Sequence, residues 1–246
     1  MNRIFAIAAL RRIGAAFVAS ITQMQNAFRL WFAVFACGAA LTACDAMPGL
    51  SSRIAHEHAV NKDWKDPKLA FGLRLSAAAE ERARHSVVYD AAYERISYPK
   101  GDVAATRGVC SDEVVRAYRL VGIDLQRLVH QDMRRAFSAY PKNWGLKAPD
   151  SNIDHRRVPN LAKFFERHGK SLSLSQKGSD YKPGDIVAWA LADGRPHIGL
   201  VTERRSRDGK RPLVMHNIGR GPQIEDMLFE LKITGHYRYG EKRKEE

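Results

Sequence analysis

The sequence predicts an α+β protein in which N-terminal helices pack on a C-terminal antiparallel sheet. Three observations carry this. Apolar residues recur at helical spacing between residues 66 and 169, the pattern changes to short strand-like runs after residue 185, and Gly- and Asp-containing turns separate those runs.

The elements follow in order. Asp66-Pro67 reads as an N-cap with proline at the first helical position, which predicts a helix to about Arg84. Val87-Val88-Tyr89 and Ile96-Ser97-Tyr98 are short extended pieces, and Pro99 to Asp102 turns the chain. Val114, Ala117, Tyr118 and Val121 then mark one face of a helix from Cys110 to Val121. Cys110 lies four residues before Val114, on the same face, and Gly122 stops the helix. Asp124 caps the next helix, with Leu125, Val129, Met133, Ala136 and Phe137 as its stripe. A polar loop over residues 141–158 leads to a shorter helix with Leu161, Phe164 and Phe165 inward and Gly169 after it. Strands are expected at Asp185–Leu191, His197–Glu203, Leu213–Ile218 and Ile233–Tyr239.

The chain divides into an export segment (1–44), a tether (45–65) and one catalytic-sized domain (66–246). Leu30 to Leu41 is apolar, preceded by Arg29, and too short for a comfortable membrane span. Leu41-Thr42-Ala43-Cys44 resembles the lipobox of bacterial lipoproteins, whose cysteine is lipidated and becomes the mature N-terminus. A leader counted from Met24 has ordinary length, so Met24 reads as the true start. The expectation is a protein lipid-anchored through Cys44 on the periplasmic side of the inner membrane; a soluble secreted or periplasmic protein is the alternative.

The formal charge is +13, and removing the first 44 residues, whose four arginines face no acid, leaves +9. That surplus suits an anionic envelope polymer or lipid surface as well as a plain basic exterior. No nucleic-acid motif, phosphate loop, dinucleotide fingerprint or metal-ligand spacing is present, so neither a cofactor, a metal nor a nucleic-acid partner is expected, and the protein is expected to be a monomer.

The chemistry centres on Cys110, the one cysteine in the body of the chain. A helix N-terminus offers unpaired N–H groups and a positive dipole end, which predict a lowered thiol pKa and a ready oxyanion site. Gly108 gives the turn before it. His197 opens a strand, and Gly199 is expected to face the same side and leave space in a cleft. The third polar group is His216 or Asn217. A hairpin closed by Asp208-Gly209 or by Ser206–Gly209 pairs residues whose numbers sum to an odd value, so His197 and His216 share a face and Asn217 points away, unless a one-residue bulge reverses them. Asp112, Asp154, Arg156 and Asn217 are candidate substrate contacts; the alternative is polar side chains holding their own loops.

Gly108-Val109-Cys110-Ser111-Asp112, Pro183-Gly184-Asp185-Ile186-Val187 and Pro196-His197-Ile198-Gly199 resemble, in order, the motifs of NlpC/P60-type cell-wall peptidases. The sequence departs from that pattern where Gly-Val precedes Cys110. Tyr89-Asp90, the run Asn152 to Asn160 and His216-Asn217-Ile218-Gly219 extend a closer resemblance, to the bacterial domain of unknown function 1287, over residues 75–240. The resemblance implies a papain-like fold with Cys110 as nucleophile, His197 as base and His216 as its orienting partner. It implies an amide hydrolase acting on peptidoglycan stem peptides or another anionic envelope substrate. Two alternatives stand: an inactive envelope-binding lipoprotein, and a transglutaminase-like acyltransferase with an amine acceptor.

Overall fold

The structure, a computed structural model, describes residues 63–240. The export segment, Cys44 and nearly all of the tether lie outside the described residues. Among the described residues the helices are α1 (Phe71–Arg82), α2 (Cys110–Leu120), α3 (Leu125–Arg135) and α4 (Val158–His168). A parallel pair, β1 (Val88–Tyr89) with β2 (Arg107–Gly108), runs into α2. The main sheet is β3 (Lys170–Ser171), β4 (Ile186–Ala190), β5 (Pro196–Arg205), β6 (Pro212–Asn217), β7 (Pro222–Glu225) and β8 (Lys232–Arg238). Its spatial order is β3-β8-β4-β5-β6-β7, antiparallel throughout. N-terminal helices on a six-stranded antiparallel sheet are the α+β arrangement expected.

Strand alternation gives the sheet two apolar faces. Ile186, Ala188, Ile198, Leu200 and Met215 join the core beneath the helices, with Leu75, Val114, Tyr118 and Phe165. Val187, Trp189, Val201 and Val214 face the other way, where Tyr181, Met227, Leu228 and Ile233 cover them. Buried on both faces, the central strands read as near-continuous apolar runs.

Helix α2 is the centre of the molecule, packed against α1, β5 and β6. Every residue from Cys110 to Tyr118 is buried, including Asp112, Glu113 and Arg116. The charges are tolerated because each has a partner. Arg82 Nε donates to Glu113 at 2.9 Å, Arg116 Nη1 to the same carboxylate at 2.8 Å, and Arg116 Nε to Asp102 at 3.0 Å.

Several boundaries differ from expectation. Asp66 caps a turn rather than a helix: its carboxylate accepts from the Lys68 N–H, the Leu69 N–H bonds back to its carbonyl, and α1 begins only at Phe71. Residues 96–98 form no strand; the Ile96 N–H donates to the Asn152 side chain instead. Helix α3 ends at Arg135, and Phe137–Ala139 is a 3-10 turn. Strands β2, β3 and β7 were not expected.

The Pro183-Gly184 turn fixes α1 over the sheet. Gly184 has φ +83°, and a methyl group there would lie 2.6 Å from the Gly72 backbone; one on Gly72 would lie 2.5 Å from the Pro183 carbonyl oxygen. Backbone meets backbone, so nothing can yield cheaply. Gly72→Ala and Gly184→Ala should each cost about 1–3 kcal/mol in urea unfolding, whereas Gly209→Ala, where only the positive φ opposes the methyl group, should cost less.

Candidate active site

Helix α2 starts where it does because of Asp112. Its Oδ2 accepts from the Val109 N–H at 2.7 Å, satisfying one of the donors left open at a helix start. Gly108, at φ +152°, brings the chain in so closely that a side chain would meet Arg116 and Asp112 at 3.1 Å. Arg156 then clamps this start from outside the helix. It grips Asp112 with Nε at 2.8 Å and Nη2 at 3.1 Å, and donates from Nη1 to the Ala92 carbonyl at 2.8 Å. Ser111 Oγ donates to the Arg156 carbonyl oxygen.

These contacts place the Cys110 sulfur at the sheet. The backbone N–H groups of Ile198, Ser111 and Cys110 lie near enough to pull its pKa down. The Ile198 N–H is available for a simple reason. Val201 N–H donates to Asp185 O, so odd-numbered residues of β5 bond toward β4 and even-numbered ones toward β6. The β5–β6 pairing runs from Arg205↔Pro212 through Val201↔Val214 to Leu200↔Met215 and stops. Beyond it the strands part, and the thiol enters beside Ile198.

His197 and His216 stand together at the same parting. His197 Nε2 lies 3.0 Å from His216 Nδ1, with the rings edge to face. His197 and His216 share one face, as strand parity predicts. The strand register sums to 415 near the site and 417 near the turn. The irregularity between them therefore shifts the sum by two and preserves the odd value. His197 pairs with Trp189 and shares the face of Val201 and Val214. Ile198, one residue along, faces the helices, so the sulfur approaches β5 at its edge rather than over His197's own face. His197 Nδ1 has no hydrogen-bond partner among the described residues.

Gly199 differs from expectation. It does face the side of His197, but a methyl group there would meet Met215 O at 2.7 Å and His216 Cβ at 3.2 Å. The missing side chain makes room for β6 and His216, not for a cleft.

The four candidate substrate contacts have internal partners. Asp112 and Arg156 hold each other, both 3% exposed. Asp154 Oδ2 meets His130 Nδ1 at 3.1 Å. Asn217 Nδ2 donates to the Gly108 carbonyl at 3.5 Å and its Oδ1 accepts from the Gly219 N–H, tying the end of β6 to the turn before Cys110.

Sequence reasoning missed Glu225, whose Oε2 lies 2.8 Å from His216 Nε2 and whose Oε1 meets Arg220 Nη2 at 3.0 Å. The signal was the Gly219-Arg220-Gly221-Pro222 turn, which folds β7 back so that Glu225 pairs with Val214, on the His216 face. It also missed Tyr89, partly exposed on β1 and within electrostatic reach of the thiol. A separate cavity of about 510 Å³, lined by Arg167, His168, Lys170 and Arg238, opens at the Tyr239 end of β8. It lies at the far end of the strands from His197, and most of its basic side chains are paired with Asp132 or Asp185.

Electrostatically, burial wins over the helix end. It pushes the Cys110 thiol up to about 12 despite the surrounding N–H donors, and Asp112 pushes the same way. His197 is brought down to about 3 by burial and then by His216. His216 is lowered too, by burial against the pull of Glu225. The resting site holds a neutral thiol and a neutral imidazole, not the thiolate that the helix N-terminus alone predicts. Iodoacetamide should therefore label Cys110 slowly near pH 7, with a rate that climbs with hydroxide through the neutral range; a plateau from pH 5 to 8 would indicate a preformed ion pair. Arg156→Ala leaves Asp112 buried and unpaired and should cost about 3–5 kcal/mol by denaturant unfolding.

Residues 76–239 match the model of the family described as Domain of unknown function (DUF1287). The uncharacterized protein YijF of Escherichia coli (strain K12) is 53% identical over 167 residues, which span 68% of this chain and 81% of that protein. The match takes in both ends of the site, from Cys110 through His197, His216 and Glu225, and the chain belongs to the DUF1287 family.

Proposed function

We propose that this protein is a thiol hydrolase of papain-like architecture, related to the NlpC/P60 peptidases, that cleaves amide bonds in peptidoglycan stem peptides. The observation that carries the reading is the parting of β5 and β6, where the Ile198 backbone lies near the Cys110 thiol and the preceding residue, His197, engages His216 through Nε2 with Nδ1 unbonded. A buried thiol, an imidazole with one open nitrogen and a group orienting its other nitrogen are the parts a nucleophilic site needs.

The chemistry follows from the resting neutrality of both groups. Sulfur attacks the substrate carbonyl as its proton passes to His197 Nδ1, forming the C–S bond without a standing ion pair. N–H groups at the start of α2 stabilise the oxyanion. His197 returns the proton to the departing amine nitrogen, the C–N bond breaks, and a thioester remains at Cys110. Water, deprotonated by His197, then releases the carboxylate product and restores the thiol.

Asp112, Arg156 and Asn217 serve as positioning residues in this scheme, holding the start of α2 and the end of β6 in register. Tyr89 and the exposed Val88 beside it offer the ground on which a substrate chain rests. The basic exterior suits an anionic wall. A lipid at Cys44 places the enzyme on the periplasmic face of the inner membrane, close to the wall.

Incubation with purified sacculi, with fragments identified by mass, tests the reaction. New amine and carboxyl termini at one stem-peptide bond are expected, with turnover falling on the order of 10³-fold or more in Cys110→Ala while the protein stays folded. Products joined to an added amine would indicate acyl transfer. Binding without fragments would overturn the hydrolase reading.

A further inference from the structure

We propose that Glu225 is a positioning residue that sets the proton positions on both histidines and so keeps Nδ1 of His197 as a lone pair. The inference rests on the hydrolase reading for its functional consequence, and on geometry alone for its chemistry.

Both imidazoles are neutral, so each carries one N–H and one lone pair, and each hydrogen bond needs one of each. Glu225 is a carboxylate, held by Arg220 at 3.0 Å on its outer oxygen, and offers only lone pairs to His216. At 2.8 Å, His216 Nε2 must therefore bear the proton. Its Nδ1 is then the acceptor. The partner 3.0 Å away, His197 Nε2, must be the donor, which leaves His197 Nδ1 unprotonated. One acid on an edge strand thus decides, through two rings, that His197 is a base on its open side. The reverse arrangement would set the lone pair of His216 Nε2 against a carboxylate lone pair. A doubly protonated His216 would drive the proton of His197 onto Nδ1 and abolish the base; burial of both rings opposes that state.

The chain of contacts is built into the sheet. His216 pairs with Gln223 and Val214 with Glu225, so His216 and Glu225 project from one face of the β6–β7 hairpin. The absent side chain at Gly199 lets His216 sit against β5. Asn217, the alternative third residue, points away and bonds the Gly108 carbonyl.

Nitrogen-15 NMR of histidine-labelled protein reads the tautomers directly, without substrate. Wild type is expected to show both His197 and His216 protonated at Nε2. Glu225→Gln keeps the size of the side chain but offers a donor as well as an acceptor, so it should admit the Nδ1–H form of both rings. Its kcat on sacculi should fall about 10- to 100-fold with KM held. A wild-type His197 protonated at Nδ1, or tautomers identical in wild type and Glu225→Gln, would overturn the proposal. Tautomers as assigned in a wild-type protein that turns over no substrate would overturn the hydrolase reading and leave the proton relay standing.

Discussion

The buried pairing of Asp112 with Arg156 is the constraint on which the rest of the site depends. Two charges have been taken out of water, and their attraction has to offset that desolvation before it contributes anything to stability. What the pair supplies is position. Asp112 fixes the first residue of α2 by accepting the Val109 N–H, and Arg156 ties Asp112 to the carbonyl of Ala92, two loops away in sequence. The start of α2 is therefore set by side chains rather than by helix propensity, and with it the place where the Cys110 sulfur meets the sheet. Asn217 closes the arrangement from β6 through the Gly108 carbonyl.

Burial, which makes that positioning possible, also determines the electrostatics. A sulfur this deeply enclosed loses more by giving up water than it gains from a helix end and an N–H of β5. The same burial keeps His197 and His216 uncharged. In the proposed hydrolysis, proton transfer and bond formation would then occur together, and the placement of protons on two neutral rings would matter more than a standing charge. That places unusual weight on the group at the end of the chain of contacts, a carboxylate on the outermost strand of the sheet.

Local pattern made much of this legible. The spacing of Val114, Ala117, Tyr118 and Val121 located α2 and put Cys110 at its start, because helical periodicity survives whatever packs against it. Parity put His197 and His216 on one face, because the side-chain period of a strand is two and the irregularity in the hairpin shifts the register sum by two. What escaped was what arises between distant segments. Asp112, read as a substrate contact, is buried together with Glu113 and Arg116, since their partners come from Arg156, Arg82 and Asp102. Glu225 followed a turn rich in glycine and sat in a strand of four residues, too short to announce itself. Gly199 was assigned to open space because sequence carries no record of how near β6 comes. The lowered thiol pKa expected from the helix end failed for the same reason: a dipole is local and readable, whereas desolvation is set by the whole enclosing fold.

The central claim is that Cys110 carries the acyl group. Intact-protein mass spectrometry on samples acid-quenched during turnover of sacculus-derived peptides measures this directly. The account predicts a transient mass increase equal to the carboxylic acid product minus water, mapped by fragmentation to Cys110 and discharged by hydroxylamine. Turnover with no adduct at any quench time, continuing in Cys110→Ala, would contradict it.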